Sequence, residues 1–168
     1  MFQPKPITAD AIAGALAKAE RYRLLNEPEA ADSICLDILD IDPENQDALV
    51  TLLLARTDLI ARGVGGAMGD ARAVLQQLKE PYDREYYAGI ISERRGHAQL
   101  LSPSLGATYV AYDWFREAMI CYERAMELRP TGNDDAVLRW NSCARVLNAH
   151  PEIAPREPEE EHTVVLDD

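Results

Sequence analysis

The stretch FREAMICYERAMELRP, residues 115–130, decides the fold. Its apolar residues recur at intervals of three and four, which places them on one face of an α-helix. The predicted inward positions are Ala118, Cys121, Tyr122, Ala125 and Leu128. Small side chains at Ala118 and Ala125 let a second helix approach closely, and Tyr122 fills the space beside that contact. Because Pro130 prevents the helix from continuing, the stretch predicts the second half of a tightly packed helical hairpin.

The same helical spacing extends through most of the chain, and strand patterns are nearly absent. Helices are predicted at about 9–25, 28–41, 44–62, 70–78, 83–101, 107–129 and 134–149. Short connections between helices favour antiparallel packing of neighbours along the chain. The sequence therefore predicts an all-α domain over residues 9–149. An N-terminal arm, residues 1–8, precedes it, and a segment with three prolines and a glutamate run, residues 150–168, follows as a predicted disordered acidic tail.

The acidic composition of the chain argues against several classes of binding partner. The chain has 168 residues and a formal net charge of −12, with 29 acidic and 17 basic side chains. A strong acidic excess opposes binding to nucleic acids and to anionic membrane surfaces, which require clustered Lys and Arg. The three cysteines are far apart and fall in apolar helical patterns, so we expect buried free thiols in a reducing compartment. With no secretory leader pattern and no long apolar run, we expect a cytoplasmic location.

No pattern of residues indicates catalysis, a metal or a cofactor. The three histidines, His97, His150 and His162, have no cysteine at zinc-ligand spacing, and His97 is expected on a solvated helix face. The stretch DILDIDPENQD lacks the glycine and the glutamate that a calcium loop needs at its sixth and twelfth places. The glycine cluster after residue 62 lacks the Lys-Ser or Lys-Thr of a phosphate loop. We therefore expect a protein that is not an enzyme and holds neither metal nor cofactor.

The opening stretch resembles the second helix of a tetratricopeptide repeat. Small, aromatic, small and proline recur there at the spacing of Ala118, Tyr122, Ala125 and Pro130. A second copy lies in EAADSICLDILDIDP, and a weaker third copy follows; their matching residues are Ala31, Cys35, Ile38 and Pro43, then Ala71, Leu75 and Leu78. In the first helix of the earliest hairpin, Ala19 and Tyr22 fit the small and aromatic places. The resemblance covers residues 9–149, although the spacing between copies exceeds the usual repeat of about 34 residues.

The resemblance implies a right-handed α-hairpin solenoid of about three helical hairpins, closed by a C-terminal capping helix whose predicted contacts are Trp140 and Leu147. One stretch allows a second interpretation. Leu105, Gly106 and Tyr109 also fit the first-helix pattern, and would make residues 103–112 a separate short helix with a turn near Asp113. The proline-containing loop before them leaves little room for it, so we prefer a long fifth helix paired with a long sixth helix.

The function implied by the resemblance is protein–protein interaction, by an adaptor or scaffold whose concave groove holds a peptide or a partner helix. Carried over by position, the groove residues are Leu16, Glu20, Arg23, Val50, Thr51, Leu54, Tyr86, Tyr87, Ile90 and Arg94. Some members of the family clamp a terminal carboxylate with Lys and Asn, but this chain has Leu16 and Glu20 at those places. One alternative function stays open: a small acidic chaperone similar to class II chaperones of type III secretion, which holds an unfolded client. A separate hypothesis is that the acidic tail, of the same molecule or of a neighbouring one, docks in the groove near Arg23 and Arg94, and the second case would give self-association.

Overall fold

The structure, a computed structural model, describes residues 2–156. These residues form a short 3-10 helix, Ala9–Ala11, and seven α-helices with no strand among them. The α-helices are α1 (Ile12–Leu24), α2 (Pro28–Ile41), α3 (Gln46–Ala61), α4 (Ala67–Leu75), α5 (Pro81–Leu100), α6 (Ala107–Leu128) and α7 (Asp135–Ala149). The all-α prediction is confirmed.

Local sequence sets several of these boundaries. Proline opens both α2 and α5, where its missing N–H group costs no hydrogen bond. Asn45 caps α3, because its side-chain oxygen accepts a hydrogen bond from the backbone N–H of Ala48 at 3.0 Å. Gly66 and Gly106 precede α4 and α6 in the left-handed conformation, with φ of 84° and 78°. Thr8 directly precedes the 3-10 helix and makes no side-chain cap hydrogen bond, and the three residues of this 3-10 helix lead into α1.

The helices pack in series. Each contacts the next along the chain, and α3 also contacts both α1 and α5. Two clusters of buried side chains result. The first joins α1–α4 with Ile91 of α5, and the second joins α5, α6 and α7. Helix α3 is the most enclosed element of the first cluster, with buried residues on every turn from Ala48 to Ile60.

The closest helix contact is between α5 and α6, and glycines in α5 make it possible. A Cβ atom on Gly89 would lie 2.4 Å from the nearest ring atom of Tyr122, and one on Gly96 would lie 3.3 Å from the ring of Phe115. The two glycines are seven residues apart on α5, and the two aromatic residues are seven residues apart on α6. The two contacts therefore belong to one antiparallel alignment of the helices. The predicted close approach at Ala118 and Ala125 is also present, since both are fully buried. Aromatic rings on α6 therefore rest on glycines of α5.

The structure distinguishes between the two interpretations of the region before Phe115. Helix α6 is continuous from Ala107 to Leu128 and pairs with an α5 of 20 residues. The alternative of a separate helix over residues 103–112 with a turn near Asp113 is therefore wrong. The predicted inward position of Leu128 is also wrong: this side chain is 48% exposed at the last turn of α6.

The acidic tail begins later than predicted. His150 ends α7, but Ile153 is 4% exposed and packs in the second cluster with α6 and α7. One isoleucine in a proline- and glutamate-rich segment gives no periodic signal, so the sequence pattern did not reveal this contact. The rest of the predicted tail, residues 157–168, lies outside the described residues.

The described cysteines are buried as expected. Burial raises the pKa of Cys35 and of Cys143 to about 12, and that of Cys121 to about 11. Helix α7 lies against α6 through Trp140 and Leu147, as predicted for the last helix. Within residues 2–156, no helix combines the length and the apolar character that a membrane crossing requires.

Candidate functional site

The candidate site is the surface formed by the odd-numbered helices α1, α3 and α5. On α3, Val50, Leu54 and Asp58 follow one another at intervals of four and are each partly exposed, while the side chains around them are buried. Residues at this interval lie above one another on a helix. This stripe runs between α1 and α5, because α3 contacts both.

An ion-pair cluster joins the three helices. Asp58 of α3 lies 2.9 Å from Nε of Arg23 on α1 and 3.5 Å from Nη2 of Arg94 on α5. All three side chains are about one quarter to one third exposed, so solvent screens the pair only in part. The structure thus brings the predicted groove arginines together, but through a carboxylate that the sequence analysis did not include. Asp58 would therefore compete with an acidic tail for both arginines, and docking of the tail at this place stays a prediction.

A pocket lies beside this cluster. It has a volume of about 230 Å³ and is lined by Glu20, Arg23, Leu24, Val50, Thr51 and Leu54. Five of these six residues are among the predicted groove residues; Leu24 was not predicted. Leu24 is 81% exposed at the end of α1, so it offers an apolar edge without contributing to the core. We call this the α1–α3 pocket.

The remaining predicted residues do not line the α1–α3 pocket. Tyr86 and Tyr87 are half-buried in α5, with ring centroids 5.1 Å apart in an edge-on arrangement. Tyr86 also stacks on Tyr82 at 5.7 Å. Ile90 is buried in the second cluster and is a core residue. Leu16 is half-buried on α1, one turn before Glu20.

Burial raises the pKa values of the two tyrosines above their ordinary range, and nearby acidic groups act in the same direction on Tyr87. Arg139 opposes the increase at Tyr86. Both phenols therefore stay protonated at neutral pH and can donate hydrogen bonds. Tyr82 shows such a bond: its hydroxyl donates to Oδ1 of Asn133 at 3.2 Å and ties α5 to the turn before α7.

Sequence reasoning missed a buried polar cluster centred on Glu93 of α5. This carboxylate is 4% exposed, accepts a hydrogen bond from the Tyr122 hydroxyl at 2.7 Å, and lies 3.5 Å from Nε of Arg139 on α7. Nε2 of His97 is 3.8 Å from the other carboxylate oxygen. His97 also stands edge-on to Phe115, with centroids 5.0 Å apart, and its side chain is 44% exposed, so it lies at the solvent-facing edge of the cluster. In the sequence, the only indication of this cluster is the position of Glu93 one helical turn before His97.

Burial alone would raise the pKa of Glu93, but His97, Tyr122 and Arg139 together hold it below its ordinary value. Burial is the largest cause of the raised pKa of Tyr122, the charge and hydrogen bond of Glu93 add to the increase, and Arg139 opposes it. The carboxylate is therefore ionised and the phenol protonated at neutral pH. Because its partners come from α5, α6 and α7, the Glu93 cluster fixes the relative positions of these three helices. A buried charge with several partners specifies a geometry more than it adds stability.

Comparison with known proteins finds no matching family model, no matching curated protein and no matching solved structure. Within the described residues, no group of three or more His, Cys, Asp or Glu side chains is arranged to hold a metal ion.

Proposed function

We propose that the chain is a non-catalytic protein-interaction module, an adaptor or scaffold, and that the surface of α1, α3 and α5 binds a peptide or a helix of a partner. The observation that supports this most directly is the α1–α3 pocket. Five residues named from sequence positions on two separate helices line one depression. A pocket of this size, with an apolar floor and charged edges, suits one or two side chains of a protein ligand.

The helix contacts support the same proposal. Successive helices pack side by side, and α1, α3 and α5 also contact one another in order. Stacked helical hairpins of the tetratricopeptide type produce this pattern, with the first helix of each hairpin on the inner surface of a right-handed solenoid. In such an arrangement the inner helices present side chains that the core does not require. Val50, Leu54 and Asp58 have this character, because each is partly exposed on a helix that also carries eight buried residues.

The chemistry of the surface indicates the kind of ligand. Leu24, Val50 and Leu54 supply apolar contact, and Glu20 and Arg23 stand beside them with opposite charges. An aliphatic or aromatic side chain would enter the pocket and contribute most of the affinity, while the flanking charges would select and orient the peptide. Tyrosine hydroxyls on α5 add hydrogen-bond donors further along the same surface.

A matched pair of leucine substitutions tests this proposal. Leu24 and Leu36 are both exposed, but only Leu24 lines the α1–α3 pocket. Peptides selected from a displayed library on the full-length protein would be measured by isothermal titration against the wild type, Leu24→Ser and Leu36→Ser. We expect Leu24→Ser to weaken binding by about tenfold, corresponding to about 1.4 kcal/mol, and Leu36→Ser to leave it unchanged. Equal affinity for all three proteins would overturn the placement of the site, and failure to select any binding peptide would count against an interaction module.

A further inference from the structure

A second surface lies between the loop that joins α3 to α4 and the C-terminal half of α5. Its charged side chains are positive, whereas the whole protein is negative. Two adjoining pockets share Gly63 and Arg95, and have volumes of about 380 and 470 Å³. We call them together the Arg95 cleft. The first is lined by Ala61, Arg62, Gly63, Arg95, Ala98, Gln99, Leu101 and Ser102, and the second by Ile60, Gly63, Val64, Gly65, Gly66, Met68, Gly69, Arg95 and Trp114. No acidic side chain lines either one, although acidic residues outnumber basic ones by 29 to 17.

Arg95 is the central cation of this cleft. Its neighbours are already paired: Arg62 contacts Glu29 at 2.9 Å, and Arg94 contacts Asp58. Within residues 2–156, Arg95 has no ion-pair partner. The apolar edge of the cleft is unusually open, with Leu101 80% exposed and Val64 47% exposed. The cleft therefore combines an unneutralised guanidinium with exposed aliphatic side chains and the partly buried ring of Trp114.

The described part of the chain ends beside this cleft. Arg156 lies over the ring of Tyr109, at 5.9 Å from its centroid, and close to Gly106 at the start of α6. Trp114 lines the cleft beside Arg95 and is five residues after Tyr109 in α6, about 8 Å along the helix axis. Glu161 is five residues beyond Arg156 and can lie up to about 18 Å from it, so the glutamates reach Arg95. Leu166 is ten residues beyond Arg156 and can lie up to about 35 Å from it, so the aliphatic triplet reaches the rest of the cleft.

The segment that follows has the complementary chemistry. Residues 157–168 read EPEEEHTVVLDD and contain six acidic side chains and no Lys or Arg. Three consecutive glutamates, 159–161, are separated by two residues from the aliphatic triplet Val164, Val165 and Leu166. Arginine binds carboxylates in a planar, often bidentate geometry, and apolar contact next to such a pair excludes water from it.

We propose that residues 157–168 bind in the Arg95 cleft of their own chain. The glutamates face Arg95, and the aliphatic triplet covers Val64, Leu101 and the ring of Trp114. Joining the segment to the surface costs little additional loop entropy, because the tether is short and ends next to the cleft. This inference is independent of the proposed function, since the α1–α3 pocket shares no residue with the cleft.

Paramagnetic relaxation in the full-length protein tests the proposal. The three native cysteines are buried with raised pKa values, so a nitroxide would react selectively with a Thr163→Cys variant. We expect the amide signals of Gly63, Gly65 and Gly66 and the indole signal of Trp114 to lose most of their intensity. Signals of Leu16 and Val50 should keep theirs. Broadening at Val50 in place of Gly65 would overturn the choice of surface.

Charge variants separate docking from simple proximity of a tethered label. Replacing Glu159, Glu160 and Glu161 by Gln, or Arg95→Gln, should restore the intensity at the cleft. Arg124→Gln is the control and should leave the attenuation unchanged. Arg124 is an exposed arginine of α6 whose only ion-pair contact in residues 2–156 is at 4.0 Å. Attenuation that persists in the three-glutamine and Arg95→Gln proteins would refute the charge-based contact. A second sample would mix spin-labelled protein at natural isotope abundance with ¹⁵N-enriched protein that carries no spin label. Attenuation in this mixture would mean that the segment binds a second copy, which also overturns the proposal.

Discussion

Alanine in place of Gly89 tests the central helix contact of the fold. In an open helix this change is stabilising by up to about 1 kcal/mol, because alanine has the higher helix propensity. Here the added Cβ would lie 2.4, 2.7 and 2.8 Å from three ring atoms of Tyr122, whereas carbon atoms in contact are normally about 3.5–4.0 Å apart. One of the two helices, or the ring, must therefore move by about 1 Å.

The ring has little freedom to move. Tyr122 is fully buried, its hydroxyl donates to the buried Glu93 at 2.7 Å, and Tyr86 lies 6.0 Å from its centroid. Overpacking of a tight core costs about 1–3 kcal/mol, and a displaced hydroxyl would also weaken a charge-assisted hydrogen bond. The gain in helix propensity and the cost of the weakened hydrogen bond are each about 1 kcal/mol and nearly cancel. We therefore expect Gly89→Ala to lower the free energy of unfolding by about 1–3 kcal/mol, which is the cost of overpacking.

Two other glycines provide matched controls in urea unfolding experiments. A Cβ on Gly14 of α1 meets nothing within 4 Å, so Gly14→Ala should stabilise the protein. At Gly96 the contact with Phe115 is 3.3 Å, and strain and propensity should nearly cancel. In a Tyr122→Leu background, Gly89→Ala should lose most of its cost, because the ring that it strikes is gone. If Gly89→Ala stabilises the wild type as Gly14→Ala does, the glycine–aromatic contact between α5 and α6 is wrong.

Three further predictions concern the core and the polar cluster. Ala125→Leu should overpack the same helix pair and cost about 1–3 kcal/mol, and an unchanged thermal midpoint would contradict the close packing at this position. Ile153→Ala should cost about 2 kcal/mol, the low end for a buried isoleucine, measured by urea unfolding; a neutral result would mean that residues beyond α7 do not contribute to the core. Glu93→Gln should destabilise the protein by about 1–3 kcal/mol at pH 7. Because the pKa of Glu93 is lowered by folding, its contribution is complete above the unfolded value near 4.5 and is lost as pH falls through the folded value. The difference between wild type and variant should therefore narrow below pH 4.5, and a constant difference would contradict an ionised Glu93.

Helical periodicity predicted the all-α class, the order of the helices and the long α5–α6 pair, because burial of one face imposes that pattern directly on the sequence. The glycines were the missed signal within this pair. Gly89 and Gly96 stand seven apart, like Phe115 and Tyr122, and the two spacings together predict an antiparallel contact of ring on backbone. Leu128 was misassigned because its spacing continues the apolar pattern, although the side chain at the last turn of α6 is exposed.

The candidate site was only partly predictable. The interval between Val50, Leu54 and Asp58 is visible in the sequence, but the choice of Asp58 as partner of both Arg23 and Arg94 depends on how three helices are placed in space. The same holds for Glu93, whose partners lie on α6 and α7 as well as on its own helix. Ion pairs between distant segments leave no periodic trace, so sequence patterns alone did not find them.

The paired spacing of glycines and rings also has a consequence for how the chain avoids misfolding. If α5 and α6 slipped past each other by seven residues, Tyr122 would face Gly96, but Gly89 would face Arg129, which lies beyond the end of α6. Phe115 would then pass the end of α5 altogether. A slip in the other direction would bring Phe115 over Gly89 and leave Tyr122 opposite Tyr82, where two large rings collide. The two equal spacings therefore specify one alignment of α5 and α6. The observed alignment places both rings over glycines, and either shift by seven residues loses a contact or creates a clash, so the native pairing is favoured over these alternatives.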